Sequence, residues 1–237
     1  MREATFGGLK VRIAGGIDRE GGGDGPVVIL LHGFGAPGDD LVSLWRTLDV
    51  PDQVRFVFPV GPLALDLGFG GGRAWWMIDM ERLLSGKERD AREIPQGLSE
   101  SRGTILAFLE DLKGKLNVRP ERIILGGFSQ GAMLASDVVF RTDDPFAGLV
   151  IMSGTLLAKD EWASLIPKRK DLEVFQSHGR DDPLLPFGTA QQLRDLLKSG
   201  GVEVKWQEFR GGHEISPLVL EQLAAFIRAR FSSPRTS

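Results

Sequence analysis

A chain of 237 residues with 42% apolar and 26% charged residues can bury one large core, and no low-complexity linker or internal repeat divides it, so one domain over 1–237 is expected. A net charge of −3 with scattered Lys and Arg offers no basic face to nucleic acid, and the absence of Cys excludes disulfides, thiolate metal sites and a cysteine nucleophile. Three His with no two in helical reach argue against a metal; with no signal-peptide core or long apolar run, the expectations are a cytoplasmic location, no stable membrane insertion, no cofactor, and a monomer or homodimer.

Leu9 to Ala14 alternates apolar and polar residues, the period of a strand with one wet face, and is expected at a sheet edge. Val27-Val28-Ile29-Leu30-Leu31 is a continuous apolar run suited to a central parallel strand, and it ends in His32-Gly33-Phe34-Gly35. A helix is predicted from about Asp39 to Leu48, capped by Asp39 or Asp40, and then a strand over Val54 to Phe58 stopped by Pro59. From Gly61 to Pro95 the pattern dissolves. Leu63, Leu65, Leu67, Phe69, Trp75, Trp76, Met77 and Ile78 nevertheless need a surface to cover, so 61–95 reads as a substrate-pocket or lid-like excursion, with Lys87 to Glu93 as a solvated segment.

Ile105, Leu109, Leu112 and Leu116 recur at helical steps and place a helix between Ser99 and Leu116. Ile123-Ile124-Leu125 runs as a buried strand into Gly127-Phe128-Ser129-Gln130-Gly131, with a helix from Gln130 to about Phe140. Further strands are predicted at 147–154, 173–179 and 202–206, a helix at 188–198, and a closing helix striped by Leu220, Leu223, Ile227 and Phe231 before a frayed tail. Strands alternating with helices, several apolar on both faces, predict an α/β fold with a mostly parallel central sheet flanked by helices on both faces. In such sheets ligands bind beyond the carboxyl ends of the strands, where His32-Gly33-Phe34, Ser129, Asp182 and His213 all fall.

Gly-x-Ser-x-Gly between strand and helix is the pattern of a nucleophile elbow: a serine held in a strained turn, with glycines where strand and helix nearly touch. A dinucleotide reading of 126–131 lacks the middle glycine and the first-turn position. A serine hydroxyl needs a base, and the chain order serine, acid, histidine removes His32, which precedes Ser129. His178 has no convincing acid between Ser129 and itself, whereas His213 follows Gly211-Gly212 and has two acids upstream. Asp182, held extended before Pro183, is favoured over Asp181 as the acid. Phe34 N–H and Gln130 N–H are expected to form an oxyanion hole, with His32 structural.

Leu31-His32-Gly33-Phe34-Gly35, Gly126-Gly127-Phe128-Ser129-Gln130-Gly131, His178-Gly179-Arg180-Asp181-Asp182-Pro183-Leu184-Leu185-Pro186 and Gly212-His213 together resemble the phospholipase/carboxylesterase family, which includes the acyl-protein thioesterases, within the α/β-hydrolase superfamily. The resemblance spans Val27 to Phe231 and implies a triad of Ser129, Asp182 and His213 with Phe34 and Gln130 as oxyanion donors. It departs from the family at the spread-out Arg73-Ala74-Trp75-Trp76-Met77-Ile78-Asp79 and at the glycines of 68–72, which bear on substrate preference rather than on chemistry. The expected function is hydrolysis of short- to medium-chain acyl esters through an acyl-enzyme, with Trp75, Trp76 and Leu65 lining the acyl pocket and a rate that falls below about pH 6.5 as the base protonates. Acyl-protein thioesterase and lysophospholipase are the alternatives, and a non-catalytic binding protein of the same fold is disfavoured.

Overall fold

The computed structural model describes residues 1–66, 71–79, 81 and 90–232. At its centre is an eight-stranded sheet in the order β1-β2-β4-β3-β7-β8-β9-β10. These strands are Arg2–Phe6 (β1), Leu9–Gly15 (β2), Val27–Leu31 (β3), Arg55–Pro59 (β4), Ile123–Phe128 (β7), Gly148–Met152 (β8), Glu173–Gly179 (β9) and Glu203–Phe209 (β10). From β4 through β3, β7, β8 and β9 to β10 every pairing is parallel. Leu63–Asp66 (β5) and Gly71–Ala74 (β6) form a separate antiparallel pair. The helices named below are Leu44–Thr47 (α1), Leu98–Leu116 (α2), Gln130–Arg141 (α3), Lys159–Leu165 (α4), Phe187–Ser199 (α5) and Pro217–Ser232 (α6).

The continuous apolar runs follow from this layering. Val27, Ile29 and Leu31 of β3 enter one core with residues of α2, α3, α4 and α5, while Val28 and Leu30 enter a second core with residues of α1 and α6. A strand covered on both faces has no wet side on which to alternate. Parallel pairing aligns the carboxyl ends of β3, β7, β8 and β9, and the loops that leave them meet at one edge.

Several expectations are corrected. Leu9–Gly15 is not an edge strand: Arg2–Phe6 pairs with it antiparallel on one side and β4 on the other. The helix predicted over 39–48 contracts to Leu44–Thr47, preceded by turns in which Val42 N–H donates to Asp39 O and Leu44 N–H to Leu41 O. The last strand extends past Trp206 to Phe209. Helix α4 was not anticipated; its Trp162 is fully buried and donates from Nε1 to Asp137 Oδ1 at 2.9 Å. Within 61–95 the chain forms the β5–β6 hairpin, while Leu67, Phe69, most of the Gly68 to Gly72 run and part of Lys87 to Glu93 lie outside the described residues.

Candidate active site

Ser129 joins β7 to α3 at φ 52° and ψ −118°, a conformation that costs a non-glycine residue about 1–3 kcal/mol and persists only where neighbours enforce it. Here the enforcement comes from β8, whose Met152 O accepts the Ser129 N–H at 2.8 Å, and from the end of β3. A Cβ on Gly127 would stand 2.4 Å from Leu31 O and 2.7 Å from Gly131 C; one on Gly131 would stand 2.1 Å from Leu31 O. The glycines therefore make room for a neighbouring strand end as well as for the strand-to-helix crossing.

Asp182, 9% exposed, follows β9. Its Oδ2 accepts the Nδ1–H of His213 at 2.7 Å, and its Oδ1 accepts the N–H groups of Leu184 and Leu185, each at 2.9 Å. Burial works to raise the pKa of this carboxyl. The donors from His213, Leu185 and Leu184 outweigh it and hold the group below its ordinary value. Asp181 is exposed, and its amide donates to Gly211 O at 3.0 Å, tying the acid loop to the histidine loop. The two loops touch so closely that a Cβ on Gly179 would meet Gly212 O at 2.2 Å. The His213 ring packs on Phe128, the residue before Ser129, with centroids 4.8 Å apart. Ser129 Oγ itself makes no hydrogen bond among the described residues.

Gly33 sits against the elbow: a Cβ placed there would lie 3.4 Å from Ser129 Cβ. Among the described residues, neither the next amide, Phe34 N–H, nor Gln130 N–H at the start of α3 has a hydrogen-bond acceptor. Two free donors flanking the serine can meet an oxyanion without first breaking another bond. The loop that carries Phe34 is pinned by Arg73, whose backbone accepts from Gly35 N–H at 2.9 Å and donates to Ala36 O at 2.8 Å. The Arg73 guanidinium holds Gly61 O and Pro62 O. His32 is buried and structural: Nδ1–H donates to Gly33 O at 2.7 Å and Nε2 accepts Gly61 N–H at 2.9 Å, which fixes a neutral tautomer, and burial lowers its pKa.

The Gln130 side chain is a feature that the sequence pattern did not disclose. Fully buried, it accepts Trp75 N–H at 3.0 Å through Oε1 and donates to Trp76 O at 2.8 Å through Nε2. Trp75 Nε1–H donates to His32 O at 2.9 Å, and Ser101 Oγ–H to Trp75 O at 2.7 Å. Trp75 and Trp76 line a cavity of about 410 Å³ together with Leu63, Met77 and the first turn of α2. Leu65 is buried but does not line it; Leu63, two residues earlier in β5, does. Among the described residues no three His, Asp or Glu are grouped to hold a metal, and no helix is long and apolar enough to cross a membrane.

Residues 17–231 match the family described as Phospholipase/Carboxylesterase. An acyl-protein thioesterase 1 of Kluyveromyces lactis is 31% identical over 210 residues, covering 85% of this chain and 90% of the relative. The acyl-protein thioesterase 1 of Gibberella zeae is 28% identical over 210 residues, covering 85% and 88%. Among solved structures, esterase PE8 superposes with a TM-score of 0.76 at 26% identity, covering 93% of this chain and 98% of that one. With the parallel sheet, the strained elbow and a match across most of its length, the chain belongs to the phospholipase/carboxylesterase family and has the α/β-hydrolase fold.

Proposed function

We propose that the protein is a serine hydrolase that cleaves short- to medium-chain acyl esters through an acyl-enzyme, with Ser129 as nucleophile, His213 as general base and Asp182 as the acid that orients it. The observation that carries this reading is the 2.7 Å hydrogen bond from His213 Nδ1 to a buried Asp182, at the sheet edge where Ser129 is held in its strained turn. Because Nδ1–H is bound to the carboxylate, the neutral ring leaves Nε2 free to take a proton. Ser129 Oγ bonds to the substrate carbonyl carbon as its proton passes to Nε2. The carbonyl oxygen becomes an oxyanion within reach of Phe34 N–H and Gln130 N–H, and the leaving group departs with the proton from Nε2. Water then repeats the sequence, giving up a proton to His213, releasing the acid and restoring Ser129.

A second reading, hydrolysis of a thioester, is favoured by the names of the relatives, which are acyl-protein thioesterases. The chemistry at Ser129 is the same for both, and the leaving group distinguishes them. Paired oxygen- and sulfur-linked substrates across a range of acyl lengths would rank the two, a higher kcat/KM for oxygen-linked short chains supporting the esterase. The shared mechanism is tested by a fluorophosphonate probe and 4-nitrophenyl acetate. Ser129→Ala is expected to abolish labelling, and Ser129→Ala and His213→Ala each to lower kcat by about a thousandfold or more. Labelling that persists in Ser129→Ala would end the assignment.

A further inference from the structure

A second histidine stands beside the acid of this site, and the proposed mechanism does not use it. His178, the penultimate residue of β9, is fully buried, and its Nε2 lies 2.8 Å from Leu185 O and 3.3 Å from Asp182 Oδ2. Both neighbours are acceptors, so the ring proton resides on Nε2 and Nδ1 is bare. Nδ1 is buried and has no hydrogen-bond partner, so a second proton there would find no acceptor. The ring packs on Phe187 of α5 with centroids 6.2 Å apart. The titratable groups that face it are Asp182 on the loop after β9 and His213 on the loop after β10.

We propose that His178 is a positioning residue of the hydrolytic site: as a neutral Nε2–H donor to Leu185 O it fixes the turn of 182–185, whose Leu185 N–H holds Asp182 Oδ1, and so keeps the other carboxylate oxygen aimed at His213. The inference rests on the assignment of Asp182 as the acid. Oδ1 accepts the Leu184 and Leu185 amides and Oδ2 accepts His213 Nδ1–H, so the carboxylate has one aim while the Leu185 peptide stays in place. A histidine suits the position for two physical reasons. The flat ring fits between β9 and Phe187, and a neutral donor adds no competing positive charge beside the base. Burial lowers the His178 pKa, in keeping with a ring that stays neutral while His213 cycles.

His178→Leu removes the donor to Leu185 O, and His178→Gln restores an N–H donor at that position. With 4-nitrophenyl acetate, and with kcat expressed per fluorophosphonate-labelled serine, the Leu variant is expected to lose about tenfold to a hundredfold in kcat with little change in KM, the cost of a carboxylate no longer held in place. The Gln variant should recover most of kcat. Equal kcat in the two variants, or a Leu variant with wild-type kcat, would overturn the proposal. If the Leu variant does not fold, side-chain ¹⁵N spectra of the wild-type protein decide: His178 should hold the neutral Nε2–H tautomer across the pH range of activity, and an Nδ1–H tautomer or a protonated ring there would refute it. Loss of turnover in Ser129→Ala beside an unaffected His178→Leu would remove this role and leave the triad standing.

Discussion

Gln130 serves the site at both of its ends. Its amide faces the elbow, and its carboxamide is sealed between Trp75 N–H and Trp76 O, so the donor proposed for the oxyanion and the wall of the cavity move as one piece. Gln130→Ala retains the backbone donor but leaves two buried backbone groups unpaired, each worth about 1–3 kcal/mol. The expected result is a urea midpoint below that of the wild type, measured in urea melts. At this scale Ser129, Asp182 and His213 were legible because motif, chain order and turn chemistry are written in side chains. The Gln130 carboxamide, Arg73 and His178 were not. Their partners are backbone groups, Trp75 N–H, Ala36 O and Leu185 O, and a backbone group has no letter in the sequence.

Helix α3 is tied to its neighbours through one residue in its middle. Asp137, fully buried, accepts from Arg102 Nη1 of α2 at 2.6 Å, from Arg141 Nε at 2.9 Å and from Trp162 Nε1 of α4 at 2.9 Å. Removing one partner of a buried ionic network strands the others, at a cost of about 3–5 kcal/mol. Asp137→Ala should therefore unfold well below the wild type on thermal melting, and Asp137→Asn, which keeps an acceptor for Trp162, should fall between them. Element prediction succeeded where the apolar pattern was strong, as in the helix predicted over 99–116 and the continuous run of 27–31, and failed where it was weak. Arg2–Phe6 is mostly exposed, so little marks it as a strand until β2 pairs with it. The β5–β6 hairpin buries one residue of Leu63–Asp66 and carries glycines opposite, so its pairing is set by backbone hydrogen bonds rather than by an apolar face.

For the molecule as a whole, buried ionisable groups set how stability responds to acid. His32 and His178 have pKa values lowered by burial, so between their folded values and the ordinary imidazole value the unfolded chain binds more protons. Their stabilisation is complete above about pH 6.5 and is lost as pH falls from there, by at most about 1.4 kcal/mol per pH unit for each ring. Asp182, also lowered, adds stability that is present above the ordinary carboxylate value and is lost as pH falls through its folded value. The melting temperature is thus expected to be flat above pH 7, to decline below about 6.5, and to decline further below about pH 4. His32→Gln should reduce the first decline by roughly half, as measured by calorimetry across pH. The fold class was legible at this scale because two-sided apolar strands separated by helices have few ways to pack.

The Asp182 carboxylate is steered by the Leu184 and Leu185 amides of its own loop, and the Leu185 carbonyl is held in turn by His178 at the end of β9. The acid therefore travels with residues 178–185 as one unit of inheritance. The chain beyond Pro186 can drift, lengthen or exchange its surface without turning Asp182 away. The imidazole it serves arrives on a separate loop, and that loop is where such a site is open to change over evolutionary time.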